Sequence, residues 1–135
     1  MLIKKVPLQI KPPSSVVFVI TDEYLDMNAY IIKMGFPYPE NVDTEAPIQL
    51  EGYVYPDNTG RDYYCIIHRF TSHGFIAHEI RHLLNRIYAD IEQEYNLLND
   101  ELDCYLQGYF VDYLIALQES YLKQGNKKLA TKDEN

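Results

Sequence analysis

The chain has 135 residues, 47% of them hydrophobic, and sets 20 acidic side chains against 12 basic ones for a formal net charge of -8. That length suits one domain with a real core, and the charge opposes a phosphate backbone, so nucleic acid is excluded as the main partner. No run of about eighteen apolar residues is present to cross a bilayer, and the N-terminus lacks a charged-then-apolar secretion signal, so the expected location is cytoplasmic, with no membrane partner.

In chain order, "KVPLQIKPPSS" holds three of the seven prolines and reads as an extended lead-in with a short strand at most. "SVVFVITD" is a continuous β-branched and aromatic run, the pattern of a strand buried on both faces, and it ends in a helix N-cap pair. "DEYLDMNAYIIKMGF" then places Tyr24, Leu25, Asn28, Ile31 and Ile32 at helical spacing, with Gly35 as the stop. "PYPENVDTEAP" is loop. "IQLEGYVYP", "DNTGRD" and "YYCIIHRF" follow as strand, turn and strand, a hairpin.

From Ser72 the period becomes helical, with Phe75, Ile76, Ile80, Leu83, Leu84 and Ile87 as the apolar stripe. A second helix is expected from about Asp100 to Lys123, on Leu102, Leu106, Phe110, Tyr113, Leu114 and Leu117, ended by Gly125. The expected architecture is therefore α+β: N-terminal strands forming a short sheet with one helix inserted, then two helices. It forms one domain over 1–125, followed by a flexible tail over 126–135. Cys65 and Cys104 are too few and too far apart for a disulfide framework or a CxxC site, and are expected as buried thiols in a reducing compartment. Thirteen tyrosines without a tryptophan suit either a half-wet groove or a core with polar edges.

The chemistry concentrates in "AHEIRH". His78 and His82 are four residues apart, so on a helix both imidazoles leave one face about a turn apart, as two ligands of one zinc ion require. Glu79 lies about 100° around the helix, placed to accept a proton from water activated by the metal as it attacks a carbonyl carbon. Shuffled chains of this composition contain His-Glu-x-x-His about once in a hundred, so the motif needs its context, an amphipathic helix after a hairpin with acids opening the next helix.

A catalytic zinc takes three protein ligands, and "LLNDELDCYLQGYF" with the residues after it offers Glu101, Asp103 and Asp112. Glu101 lies 19 residues after His82 and suits a first helix that ends near Asp90. A helix unbroken to Tyr95 would instead carry Glu101 about 20 Å along the axis and bring Asp112 opposite His82.

His78-Glu79-x-x-His82 followed by Glu101 resembles the gluzincin branch of zinc metallopeptidases. More narrowly, "AHEIRHLLNRI" with "NDELDCYLQGYF" is similar to small zincin-like proteins encoded by phages and prophages. The resemblance covers Ala77 to Phe110. It implies a zincin-like fold, zinc held by His78, His82 and Glu101, Glu79 as the base, and a peptide or protein substrate. In zincins the strand before the motif helix edges the cleft and pairs with extended substrate, the place that "YYCIIHRF" occupies here. Leu102, Asp103 and Cys104 replace the small residues common beside such glutamates. The other reading is a non-catalytic phage or prophage module that binds zinc or serves assembly and protein interaction.

Tyr105 and Tyr109 follow Glu101 at four-residue steps and are candidate oxyanion donors, with packing as the competing role. His73 and His68 flank the motif helix on its N-terminal side. Gly108 is expected to let the second helix approach the first closely.

Overall fold

The computed structural model describes residues 1–8, 14–37, 52–56, 62–90 and 100–133. The element order is β1 (Leu2–Leu8), β2 (Ser14–Thr21), α1 (Tyr24–Lys33), β3 (Gly52–Pro56), β4 (Asp62–His68), α2 (His73–Asp90) and α3 (Asp100–Asp133). The fold is α+β, with strands first and the two longest helices last.

Four strands form a mixed sheet in the order β1-β2-β4-β3. β2 and β4 run parallel at its centre, with Phe18 opposite Cys65, and β1 and β3 close the two edges in antiparallel register. The central pair is buried on both faces, so both strands read as near-continuous apolar runs. Alternation divides their side chains. Val16, Phe18, Ile20, Tyr63, Cys65 and Ile67 face α2 and α3, where Ile76, Ile80, Leu83, Leu84, Phe110 and Leu114 complete the larger core. Val17, Val19 and Ile66 face the other way and are covered by Met27, Ile31 and Phe36 at α1. Each of these large side chains contributes about 1.5–3 kcal/mol by leaving water.

The N-terminal lead-in is a full seven-residue strand, and Pro7 is tolerated because β1 lies at an edge. α1 begins after Glu23, whose N–H donates to the Asp26 carboxylate at 3.1 Å, and ends at Gly35, whose φ of 72° reverses the chain. Its buried residues are Met27, Asn28 and Ile31, while Leu25 and Ile32 are exposed, so the expected stripe is rotated. β3 and β4 form the expected hairpin, yet β4 is not an edge. It is paired on both sides, and the strand that ends the sheet beside it is β3.

α2 starts as expected, with the Ser72 hydroxyl accepting the N–H of Phe75 at 3.2 Å. It ends at Asp90. α3 does not stop at Gly125 but continues to Asp133, because a lone glycine within a polar helix costs only about 1 kcal/mol. Residues 134 and 135 of the expected tail lie outside the described residues, as do 38–51, on which most of the expected loop and the start of the next strand fall, 57–61, on which the expected turn falls, and 91–99.

Candidate functional site

α2 has four distinct sides. Its inner side is the apolar stripe, reduced by Phe75, which is 47% exposed. Arg81 and Tyr88 face α3, Glu79 faces β3, and His78, His82 and Arg86 are exposed. These directions follow from a rotation of about 100° per residue, once the stripe is pressed onto the sheet.

The two histidines meet as their spacing requires. Their Nε2 atoms stand 3.2 Å apart and the rings are inclined at 79°. Two nitrogens each about 2.0–2.1 Å from one tetrahedral zinc ion are themselves separated by about 3.3 Å. The pair therefore fits a shared ion, although an imidazole donating to its neighbour gives the same distance. Burial first, and then the neighbouring His78 and Arg86, hold His82 below the ordinary imidazole value, which keeps a lone pair available near neutral pH.

Glu79 is buried, in contrast to the histidines on either side of it in the motif. β3 crosses its side chain at Gly52, where an added Cβ would stand 2.4 Å from Glu79 Cγ and 2.8 Å from Cδ. No larger residue fits that crossing. Burial raises the proton affinity of Glu79, opposed by the nearby His78, and Glu79 in turn reinforces the upward push of burial on the Cys65 thiol beneath it. A carboxylate with raised proton affinity is the stronger base.

α3 is fixed against α2 by Asp103. Its two oxygens accept from the Arg81 guanidinium at 2.7 and 2.8 Å, and Oδ1 also accepts from the Tyr88 hydroxyl at 2.8 Å. Gln107 Oε1 takes a further Arg81 N–H at 2.9 Å. Asp103 is thus engaged in a helix–helix clasp. Glu101, two residues earlier, is rotated about 200° from it and is exposed on the far side of α3. The structure brings His78 and His82 together and does not bring Glu101 to them. Asp112 is also exposed, and among the described residues no set of three or more His, Cys, Asp and Glu side chains converges on a possible ion.

The other candidates separate in the same way. Tyr105 and Tyr109 are 74% and 57% exposed on α3. Gly108 meets no atom within 4 Å of an added Cβ, so it does not serve close helix approach. Cys65 is buried as expected, whereas Cys104 is exposed. His73 opens α2 at the surface, and His68 is buried at the end of β4, where its Nδ1 accepts the Phe70 N–H at 3.2 Å. Tyr53, Tyr55 and Tyr64 cluster around Phe36 and give the smaller core a polar edge.

No protein-family model, curated protein or solved structure matches the chain. Two contacts that shape the site are not among those expected from the sequence. Gly52 carries no local signal of its crossing with Glu79. Arg81 and Asp103 did carry one, opposite charges on the facing edges of two amphipathic helices.

Proposed function

We propose that the chain is a zinc-dependent hydrolase of peptide bonds, with His78 and His82 as metal ligands and Glu79 as the proton acceptor. The observation that carries this reading is the 3.2 Å separation of the two Nε2 atoms on an exposed face, with Glu79 on the adjoining side of the same helix. When bound, zinc supplies the Lewis acidity that makes water a nucleophile near neutral pH. The chain's own contribution is to hold two neutral imidazoles in register and to keep a buried carboxylate of raised proton affinity beside them. Glu79 takes the proton released as water attacks the carbonyl carbon and returns it to the leaving amine. A cytoplasmic location belongs to the same proposal, since neither cysteine is in a disulfide, as a reducing compartment favours. So does kinship with the zincin-like proteins of phages and prophages.

The test is metal analysis after expression with zinc, joined to a peptide-library digest. One zinc per chain is expected, lost in His78→Ala and in His82→Ala, with hydrolysis abolished and zinc retained in Glu79→Gln. Metal-free protein overturns the proposal.

One observation favours a second reading, a non-catalytic zinc-binding or assembly module. Glu101 faces away from the histidines, and Leu102, Tyr105 and Tyr109 lie exposed on the same helix, as on a surface that meets another protein. A full complement of zinc with no cleavage in the wild-type digest would select it.

A further inference from the structure

His78, His82 and Arg86 succeed one another at four-residue steps on α2, and all three are exposed, so they form one row along the helix. Arg81, the other guanidinium of this helix, is consumed by Asp103. Arg86 stands apart from that clasp. Among the described residues it makes no ion pair or hydrogen bond, and the acid one turn further on, Asp90, already accepts the Tyr63 hydroxyl at 2.7 Å. In a chain of net charge -8, an exposed guanidinium beside the imidazole pair is a local reversal of sign.

β3 reaches the same place from the side. Gly52 crosses Glu79, and the next residue, Tyr53, lies near Arg86. Burial pushes the Tyr53 phenol up to about 12, reinforced by Tyr55 and opposed by the Arg86 guanidinium. The proton acceptor, the imidazole pair and the cation are therefore gathered along one helix and one strand edge. A guanidinium offers a planar fork of donors that matches a carboxylate.

We propose that Arg86 is the substrate's carboxylate-binding residue, selecting peptides that carry a negative charge close to the bond that is cut. The inference rests on the zinc-hydrolase reading above. Arg86 lies six residues beyond the midpoint of the histidine pair, about 9 Å along the axis. An extended peptide advances about 3.3–3.6 Å per residue, so the carboxylate belongs about two or three residues from the scissile bond. It can come from a peptide C-terminus or from an aspartate or glutamate side chain.

The test is calorimetric binding to the zinc-loaded protein of three N-acetylated tripeptide probes: one with a free C-terminus, its C-terminal amide, and an amide containing glutamate. A preference of about tenfold for a carboxylate over the neutral amide is expected. Arg86→Gln should reduce it to less than about twofold with zinc retained, and Arg86→Lys should restore part of it. Preference for the free C-terminus identifies the terminal carboxylate as the source, and preference for the glutamate amide identifies a side chain. An equal preference in wild type and Arg86→Gln, or none in wild type, overturns this inference and leaves the zinc reading standing. A protein that binds no zinc overturns both.

Discussion

Gly52→Ala introduces a single methyl group at the point where β3 crosses α2, and its cost follows from three distances. The new carbon would stand 2.4 Å from Glu79 Cγ, 2.8 Å from Cδ and 3.1 Å from Oε1. Carbon–carbon contacts are favourable near about 3.5–4.0 Å, so roughly 1 Å must be found by moving the strand or the carboxylate arm. Cγ is not the free end of a side chain, and Glu79 is only 7% exposed, so the arm cannot swing aside without opening the α2–β3 contact. Overpacking of this kind costs about 1–3 kcal/mol. Alanine returns about 0.4–1 kcal/mol by restricting the unfolded chain, leaving a net loss of about 1–2 kcal/mol.

The assay is a double-mutant cycle by urea unfolding, with constant m-value as the check on two-state behaviour. Glu79→Ala removes Cγ, Cδ and Oε1, the three atoms that the new methyl meets. The double variant should therefore recover most of the loss, with a coupling of about 1 kcal/mol or more. Additive losses, or a Gly52→Ala protein as stable as wild type, would refute the claim that this glycine exists to seat Glu79.

Glu101→Ala should leave zinc binding unchanged, because the structure sets Glu101 on the far side of α3; loss of the metal would show that α3 turns to meet the histidines. Asp103→Asn should cost about 2–4 kcal/mol in urea unfolding by removing the carboxylate charge and replacing one of the two oxygens that accept from Arg81 with an N–H donor. The Arg81 hydrogen bond, against burial and with help from Tyr88, holds the Asp103 carboxyl below its ordinary 3.8. Its stabilisation is therefore present above pH 3.8 and lost as the pH falls through the lower folded value, an acid slope that Asp103→Asn should flatten. Tyr88 gives the opposite limb, since burial and then Asp103 push its phenol up to about 12. Its contribution is complete below pH 10 and disappears between about pH 10 and 12, so Tyr88→Phe should reduce the alkaline slope of the unfolding midpoint. Leu114→Ala empties a fully buried position between α3 and the sheet and should cost about 2–5 kcal/mol.

The elements legible in the sequence are those whose evidence is local. β2 is buried on both faces and announces itself as an unbroken apolar run, and the inner stripe of α2 recurs at helical steps. The histidine pair follows from the same local geometry. Where the decisive contact is remote, local pattern fails. Leu25 and Ile32 fit a helical stripe as well as Met27 does, and only the position of the sheet decides that Met27 points inward. The central place of β4 could not be read either, because strand order is a property of four segments together. Gly52 looks like any strand glycine until α2 is laid against it.

The third-ligand question shows how narrow such a margin is. Two conditions had to hold for Glu101 to join the histidines: the first helix had to end near Asp90, and the second had to present Glu101 inward. The first holds. The second is decided by competition between two acids two residues apart, which cannot share a helix face when each residue turns the chain by about 100°. Asp103 gains a bidentate guanidinium and a phenol by facing α2, and Phe110 and Leu114 lie on the same side of the helix and enter the core with it. Turning Glu101 inward would give up the clasp and expose both apolar side chains. The ion pair at Arg81 thus sets the phase of α3, and that phase governs which acids can approach the histidine face of α2.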